Sequence, residues 1–332
     1  MTLALGDQTG RIRSLDVLRV LAVGYIVAIH HLDDFASRLF AGPLDTALTC
    51  ICLGTLVYMS GYLLAHRYEA LDNLPAVGRF VKRRFLRVYP LYLLALLLFA
   101  FCSLLPYRSL LRDALLLNMV WGTPVVTLWF VELICLCYLL FPLMVFRAGI
   151  RAIVLRGSLI GVVLTGLHLC GGVLDVRLVL SWPVFLVGVV AGRAVRLAAS
   201  MNGGRFAAIS AVLCCLSSLL CLRWAATEYR YLAALVFTLT ALSPVLFVGQ
   251  KIASRVDHRI FLSLSYASYC MYLFHRAFFQ LLLQVHRPET VLATLAYLVL
   301  IGLPLLYVIS AKIQSIYDGA YARAVAPRPC ET

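Results

Sequence analysis

Residues 19–31, RVLAVGYIVAIHH, form the centre of the first membrane-length apolar segment of the chain. Arg19 opens this stretch, and His30 and His31 close it. A charged group costs about 2.5–3.5 kcal/mol at the centre of a membrane helix, so a chain that keeps such groups there is expected to use them. The stretch therefore predicts a transmembrane helix that carries functional side chains.

The spacing of Arg19 and His30 places both residues on one face of a regular α-helix. Eleven residues at roughly 100° each return to within about 20° of the starting direction, and the rise of the helix separates the two groups by about 16 Å. His31 lies about 120° around the helix from Arg19. The periodicity thus predicts that His30, and not His31, shares the face of Arg19.

The composition indicates a protein that crosses the membrane many times. Of the 332 residues, 63% are hydrophobic and 13% are charged, a balance that excludes an ordinary water-soluble globular protein. Long apolar runs fit helices of about 20 residues rather than the strands of an outer-membrane barrel. We predict one all-α transmembrane domain over residues 1–332, a polytopic bundle of about ten helices. The predicted spans lie near residues 15–33, 44–65, 84–106, 124–146, 152–173, 178–198, 206–223, 229–248, 260–284 and 290–311.

Two further features concern the loops and the side of the membrane. The stretch from Arg108 to Trp121 is too short to cross and is expected to lie at the interface or to dip back into the bundle. Basic residues concentrate in every second loop, as between Arg67 and Arg87, so both termini are predicted to be cytoplasmic. The net charge of +14 follows from this topology and from contact with anionic lipid headgroups, and no nucleic-acid partner is predicted.

Acidic residues next to His30 indicate acid–base chemistry. Asp33 and Asp34 follow His30 at i+3 and i+4, where a carboxylate can hold one ring nitrogen and raise the basicity of the other. The pattern predicts His30 as a general base with Asp34 as its orienting carboxylate. Two alternatives stay open: the histidines end a helix at the wet interface, or they ligate a metal. No third ligand follows at a recognisable spacing, so no metal is predicted.

Arginines at the start of the third span form a second candidate group. Arg83, Arg84 and Arg87 fall within about one helical turn, an arrangement that suits phosphate groups. It fits a topology determinant in contact with lipid headgroups equally well. Asp16, three residues before Arg19, suits the positive end of the helix and can neutralise the arginine, and a catalytic role is the alternative.

Two later spans carry polar residues as well. Glu132 is an intramembrane carboxylate that must be paired or protonated, with partners expected among buried arginines or histidines, although a purely structural ion pair is an alternative. Trp129, one turn earlier, fits an interface anchor. Residues 265–276, SYASYCMYLFHR, form a hydroxyl-rich segment that ends in His275 and Arg276, and its tyrosines could serve packing.

Taken in order along the chain, these segments resemble the acyltransferase-3 family of integral membrane O-acyltransferases. The matching residues are Arg13-x-x-Asp16-x-x-Arg19 with His30, Met59-Ser60-Gly61-Tyr62, Arg83-Arg84-x-x-Arg87-x-Tyr89-Pro90-x-Tyr92, Leu128-Trp129-Phe130-x-x-Leu133 leading to Tyr138-Leu139-Leu140-x-Pro142, and Ser265-Tyr266-x-x-Tyr269-x-x-Tyr272-Leu273-x-His275.

The resemblance implies an O-acetyltransferase of the bacterial inner membrane. Its co-substrate would be cytoplasmic acetyl-CoA, and its acceptor would be a hydroxyl of an extracytoplasmic glycan such as O-antigen, capsule or a lipid-linked sugar. The implied residues are Arg19, Arg83, Arg84 and Arg87 for the CoA phosphates, His30 with Glu132 and Asp34 for catalysis, and His31, Trp129, Tyr272 and His275 for the acceptor. His30 would act as general base, with an acyl-histidine intermediate as the rival route.

A transporter of a small solute or lipid-linked sugar is the alternative function, because about ten spans and buried charges suit transport. Transporters of this size usually show paired broken helices in two halves, whereas the unusual residues here crowd before residue 140. This favours the transferase. The sequence leaves open the hydroxyl that is modified, the length of the acyl chain and whether the chain forms a homodimer.

Overall fold

The structure, a computed structural model, describes residues 12–35, 42–68, 71–121, 125–194, 203–224 and 230–325. Within these ranges the regular structure is helical, apart from isolated bridge residues such as the pair of Leu71 and Phe146. The ten long helices of the described part are α1 (Arg13–Asp33), α2 (Pro43–Arg67), α3 (Leu74–Phe101), α4 (Trp129–Val145), α5 (Ile150–Gly171), α6 (Val176–Ala194), α7 (Gly203–Trp224), α8 (Arg230–Ala253), α9 (His258–Val285) and α10 (Val291–Ala324). The predicted all-α architecture is confirmed. Predicted span ends at residues 124, 195–198 and 229 lie outside the described residues.

Seven of these helices are long and apolar enough to cross a membrane, namely α1, α2, α3, α5, α6, α8 and α10. Helix α4 is apolar but has only 17 residues. On α5, the side chains of Leu155, Leu159 and Val162 are exposed on the outer surface of the bundle, as contact with lipid tails requires. The chain is therefore a multi-pass membrane protein, and both the total of about ten spans and the cytoplasmic termini stay predictions.

Several helices begin where the sequence supplies a side-chain cap. The Asn73 side chain accepts a hydrogen bond from Ala76 N at 2.8 Å and starts α3. Asp257 accepts from Arg259 N at 2.9 Å at the start of α9, and Thr290 accepts from Ala293 N at 3.2 Å at the start of α10. These oxygens pair with backbone N–H groups that have no partner inside the helix.

The stretch between α3 and α4 forms short helical pieces, as its length predicts. A 3₁₀ turn at Tyr107–Ser109 precedes the helices Leu110–Ala114 and Asn118–Trp121. Leu111 is exposed, whereas the Asp113 side chain is completely buried beneath the stretch. None of these pieces is long enough to cross the hydrocarbon core, which needs about 20 helical residues.

Helices α2 and α6 pack backbone to backbone through glycines. A Cβ atom at Gly188 would overlap the carbonyl oxygen of Tyr58, and one at Gly61 would overlap that of Phe185. Small residues allow this close approach in membrane helices. The contact fixes α2, and α2 carries a residue of the candidate site.

Replacing Gly188 with alanine is expected to destabilise the folded protein by roughly 1–3 kcal/mol, because the added methyl group has no space. Gly24 of α1 is the matched control, since a Cβ there meets nothing within 4 Å. Thermal unfolding followed by size-exclusion chromatography in detergent measures both variants. Equal melting temperatures for Gly188→Ala and Gly24→Ala would contradict the close packing.

Helix α1 lies at the centre of the site because it touches three other long helices. The Leu18 side chain packs directly against Gly249 of α8, where a Cβ atom would have no space. Arg19 contacts Ser265 of α9, and Tyr25 contacts α2. A π-helical turn at Ile26–His30 interrupts α1. The side chains that follow this turn therefore point in other directions, relative to those before it, than they would on an unbroken α-helix.

Candidate active site

A cavity of about 700 Å³ lies between α1, α2, α3, α4 and α9. Its volume falls in the range of sites that hold cofactors or drug-sized ligands. The charged and titratable side chains that line it are Asp16, Arg19, His66, Arg67, Arg84, Arg87, Tyr138, Tyr266, Tyr269 and Tyr272. Four of these are arginines and one is an aspartate, so the wall favours an anionic ligand.

Arg84 is the most distinctive arginine of this cavity. Its guanidinium carbon lies 5.2 Å from the ring centre of Tyr68 and 5.8 Å from that of Tyr138. Its Nε atom is buried and has no hydrogen-bond partner in the described part of the chain. The two rings hold the guanidinium at the cavity wall. The Arg84 side chain thus contributes positive charge to the cavity wall.

Arg19 is fixed by a small polar network between α1 and α9. Its Nη1 atom lies 3.3 Å from Ser265 Oγ and 3.7 Å from Asp16 Oδ1. Ser265 in turn donates to Asp16 Oδ1 at 2.7 Å. Asp16 therefore acts as the charge partner considered from the sequence, and the guanidinium remains part of the cavity wall.

Two of the three arginines that the sequence groups at the start of the third span line the cavity, and the third does not. Arg87 lines the cavity together with Arg84, because residues three apart share a helix face. Arg83 is exposed and does not belong to the lining. One step along the helix rotates a side chain by about 100°, and this rotation turns Arg83 away from the cavity.

His30 has a carboxylate partner that the sequence analysis did not assign. Its Nδ1 atom lies 2.9 Å from Asp45 Oδ1 and 3.1 Å from Asp45 Oδ2. Tyr25 donates its hydroxyl hydrogen to Asp45 Oδ1 at 2.6 Å. With Nδ1 donating to the carboxylate, Nε2 of the neutral ring is the basic nitrogen.

The prediction that Asp34 orients His30 is replaced by this contact. The Asp34 carboxylate accepts from Arg276 Nη1 at 2.8 Å and so joins the end of α1 to α9. Asp45 lies in the first turn of α2, three residues into a helix that begins with proline. In the sequence, such a carboxylate fits an ordinary helix start, so no local signal pointed to His30.

The π turn also reverses the predicted faces of the two histidines. An inserted residue in an α-helix rotates everything beyond it by about 100°. His31 is consequently the histidine that points towards α9, where its Nδ1 lies 2.8 Å from Nε2 of His275. Arg19 also contacts α9, whereas His30 contacts α2. The expectation that His30 shares the face of Arg19 is therefore wrong.

His275 completes a buried chain of polar contacts. Its Nδ1 atom lies 2.8 Å from the carbonyl oxygen of Tyr272. The rings of His31 and His275 are stacked with centroids 4.8 Å apart, and the rings of His30 and His31 lie 4.9 Å apart. The structure thus brings three of the sequence-predicted residues, His30, His31 and His275, into one histidine cluster.

The cavity and the histidine cluster are neighbours but are not joined. Tyr272 and Phe130 belong to the cavity lining, whereas His30, His31 and His275 do not. The Tyr272 ring lies 6.0 Å from the His275 ring, and its hydroxyl donates to the carbonyl oxygen of Thr127. The cavity that Arg19 lines therefore ends short of the histidine cluster in the described part of the chain.

Glu132 is completely buried, but its partner is neither an arginine nor a histidine. Tyr92 donates its hydroxyl hydrogen either to Glu132 Oε1 or to the carbonyl oxygen of Asp113, each at 2.9 Å. Burial raises the pKa of the Asp113 carboxyl in the connecting stretch. The predicted contact of Glu132 with His30 is not present, since the side chains bind different partners.

Trp129 lies at the first turn of α4 and is covered on one face. The guanidinium carbon of Arg177 lies 4.7 Å from its ring centre. The predicted role of Trp129 as an acceptor platform therefore requires its other face or its edge.

In the described ranges, no group of three or more His, Cys, Asp or Glu side chains could hold a metal ion.

The comparison with protein families decides the class of this chain. The sequence profile of the acyltransferase domain family, acyltransferase-3, matches residues 12–311. The chain belongs to the acyltransferase-3 family. It is also similar to "Protein 2 in picA locus" of Rhizobium radiobacter, with 36% identity over 88 residues. That match covers 26% of this chain and 42% of the relative. No solved structure matches the chain.

Proposed function

We propose that this membrane acyltransferase moves an acetyl group from cytoplasmic acetyl-CoA to a hydroxyl of an extracytoplasmic glycan. The observation that carries the proposal is that one helix, α1, contributes to two sites. Arg19 of α1 lines the arginine-rich cavity, and His30, near the end of α1, is held by Asp45. A donor bound in the cavity and an acceptor bound at the histidines would meet across Tyr272. We place this reaction in the bacterial inner membrane, which would separate cytoplasmic acetyl-CoA from the glycan on the other side.

The donor end of the proposal rests on the arginines. Arg19, Arg84 and Arg87 would hold the CoA phosphates through charge-assisted hydrogen bonds, with Tyr68 and Tyr138 keeping the Arg84 guanidinium in place. The pantetheine arm would extend along α1 towards the histidine cluster. Tyr272 lines the cavity and lies 6.0 Å from the His275 ring, so the thioester would pass beside this side chain on its way to His30.

The acceptor end of the proposal rests on the pair of His30 and Asp45. Nε2 of His30 would remove the proton of the acceptor hydroxyl while the oxygen attacks the thioester carbonyl. The new carbon–oxygen bond forms, the carbon–sulfur bond breaks, and the proton on His30 passes to the departing thiolate to give free CoA. The imidazolium formed on the way is stabilised by Asp45, 2.9 Å from Nδ1.

An acyl-histidine route uses the same atom. Nε2 of His30 would attack the thioester first and pass the acetyl group to the acceptor in a second step. Initial-rate kinetics separate the two routes, since the second gives ping-pong behaviour and an acetylated enzyme in the absence of acceptor. Direct transfer gives neither.

Replacement of Arg84 by glutamine is expected to raise the apparent KM for acetyl-CoA about 10- to 100-fold, because hydrogen bonds to a charged group are lost. Arg83→Gln is the matched control, since its side chain lies outside the cavity lining, and its KM should change by less than about threefold. Membranes with radiolabelled acetyl-CoA provide the measurement. Equal effects of the two substitutions would indicate that the arginine cluster only contacts lipid headgroups.

The same membranes test the transferase against the transporter. A transferase incorporates the acetyl label covalently into extracted glycan, and the label survives denaturation. A transporter moves a solute without covalent incorporation. Absence of label in every glycan fraction at normal abundance of the protein would contradict the proposed function.

A further inference from the structure

The buried contact between His31 and His275 fixes the hydrogen positions on both rings. The carbonyl oxygen of Tyr272 accepts hydrogen bonds but cannot donate them. Nδ1 of His275, 2.8 Å from this oxygen, must therefore carry a hydrogen. The other ring nitrogen, Nε2, lies 2.8 Å from Nδ1 of His31, and one of these two atoms must donate.

Burial decides which of the two nitrogens donates. His275 is completely buried and His31 is 9% exposed, and neither ring has a carboxylate contact in the described structure. The neighbouring Arg276 carries a positive charge, which is paired with Asp34. An additional imidazolium without a counter-ion would be costly at this depth. Both rings are therefore neutral, and His275 Nε2 accepts the hydrogen of His31 Nδ1.

This assignment leaves Nε2 of His31 as a hydrogen-bond acceptor. In the described residues, His31 makes its side-chain hydrogen bond through Nδ1, so Nε2 is available. The ring lies next to that of His30, with centroids 4.9 Å apart and a tilt of 46°. Two adjacent imidazole rings thus each have an unprotonated Nε2 atom, one ring held by Asp45 and the other by His275.

We propose that His31 binds a second hydroxyl of the acceptor, next to the hydroxyl from which His30 removes the proton. This inference rests on the proposed function and specifies its substrate class: a sugar with two neighbouring free hydroxyls, not an isolated alcohol. Because Nε2 of His31 can only accept, the bound group must be a donor, as a hydroxyl is. His275 touches no substrate here and is a positioning residue that fixes the tautomer of His31.

The kinetic test compares His275→Leu with His275→Gln. Leucine removes the acceptor for His31 Nδ1, and we expect the apparent KM for acceptor to rise about tenfold, the effect of one hydrogen bond. The KM for acetyl-CoA should not change. Glutamine keeps an oxygen acceptor and should restore most of the affinity. His168→Leu is the matched control, because that ring also binds a backbone carbonyl, Leu174 O, at 2.7 Å, but outside the cluster.

The acceptor in this assay is the glycan fraction extracted from the envelope of the host cell. NMR spectroscopy of the acetylated product should place the acetyl group next to a carbon with a free hydroxyl. Acetylation at a carbon whose neighbours are both substituted would overturn the inference. So would an unchanged acceptor KM in folded His275→Leu. Failure of the wild-type protein to acetylate the fraction contradicts the proposed function itself, which distinguishes the two failures.

A spectroscopic test does not depend on activity. Long-range proton–nitrogen correlation spectra of the wild-type protein, labelled with ¹⁵N at histidine and held in detergent, report which ring nitrogens carry hydrogen. We expect a protonated Nδ1 and an unprotonated Nε2 for His31. The His31 signals are assigned as those that disappear from the spectrum of His31→Asn. A hydrogen on Nε2 of His31 would overturn the inference even if His275→Leu fails to fold.

Discussion

Replacement of His30 by alanine is expected to lower acetyl transfer by about 10²- to 10⁴-fold, the range that a general base contributes. The substitution removes the imidazole whose Nδ1 lies 2.9 Å from Asp45 and whose Nε2 is left as the basic atom. The measurement is the rate of label transfer from acetyl-CoA to glycan in membranes that contain equal amounts of protein.

His168→Ala is the control for the loss of a histidine near a helix end, and its activity should stay within about threefold of wild type. Rates of His30→Ala that approach those of His168→Ala would remove His30 from the mechanism. Under the acyl-histidine route, His30→Ala would also lose acetylation of the enzyme itself, so the variant tests both routes at one position.

Replacement of Asp45 by asparagine is expected to reduce the rate by about 10²-fold, near the lower end of the contribution of acid–base catalysis. Asparagine keeps the size of the side chain but removes the charge that stabilises a protonated His30. Its amide group can also donate to Nδ1, which would favour the tautomer with a hydrogen on Nε2. The KM for acetyl-CoA should be unaffected, since Asp45 lies outside the cavity lining.

Asp34→Asn tests whether His30 is oriented by Asp45, as the contact in the structure indicates, or by Asp34, as the i+4 spacing predicts. Asp34 pairs with Arg276 at 2.8 Å, so its replacement should cost only a few-fold in rate. A larger loss for Asp34→Asn than for Asp45→Asn would show that the i+4 carboxylate orients His30 after all. The two variants change the same functional group, once just after α1 and once in the first turn of α2, which makes the comparison direct.

The sequence predicted the helices well because their signal is local. Long apolar runs and capping residues such as Asn73 depend on near neighbours in the chain, and the structure has helices at each predicted span within the described ranges. Three of the polar residues that the sequence singled out, Arg19, Arg84 and Tyr272, line one cavity, and their roles stay predictions. Buried charge in an apolar span is a strong signal whatever the tertiary structure.

The orientation of the histidines was not predictable in the same way. The 3.6-residue period assigned His30 to the face of Arg19, but a π turn at Ile26–His30 inserts one residue and moves His31 to that direction. No residue type in this segment marks such an insertion. The partner of His30, Asp45, lies on the next helix, and contacts between helices cannot be read from spacing within one.

Glu132 shows a third limit of sequence reasoning. Its burial was expected, but its partner is the Tyr92 hydroxyl of α3 rather than a charged group. A carboxylate in an apolar helix can be satisfied by a neutral donor, and sequence does not reveal which. Tyr92 belongs to the same motif as Arg83, Arg84 and Arg87, in the middle of α3.

Sealed membrane vesicles test the central claim most directly, which is that donor and acceptor meet across the membrane at His30. Inverted vesicles present their cytoplasmic face to added radiolabelled acetyl-CoA, and right-side-out vesicles present the opposite face. The account predicts label in the enclosed glycan of inverted vesicles with wild-type protein, and none with His30→Ala or with intact right-side-out vesicles. Label that appears only in right-side-out vesicles, or equally with wild-type protein and His30→Ala, would contradict it.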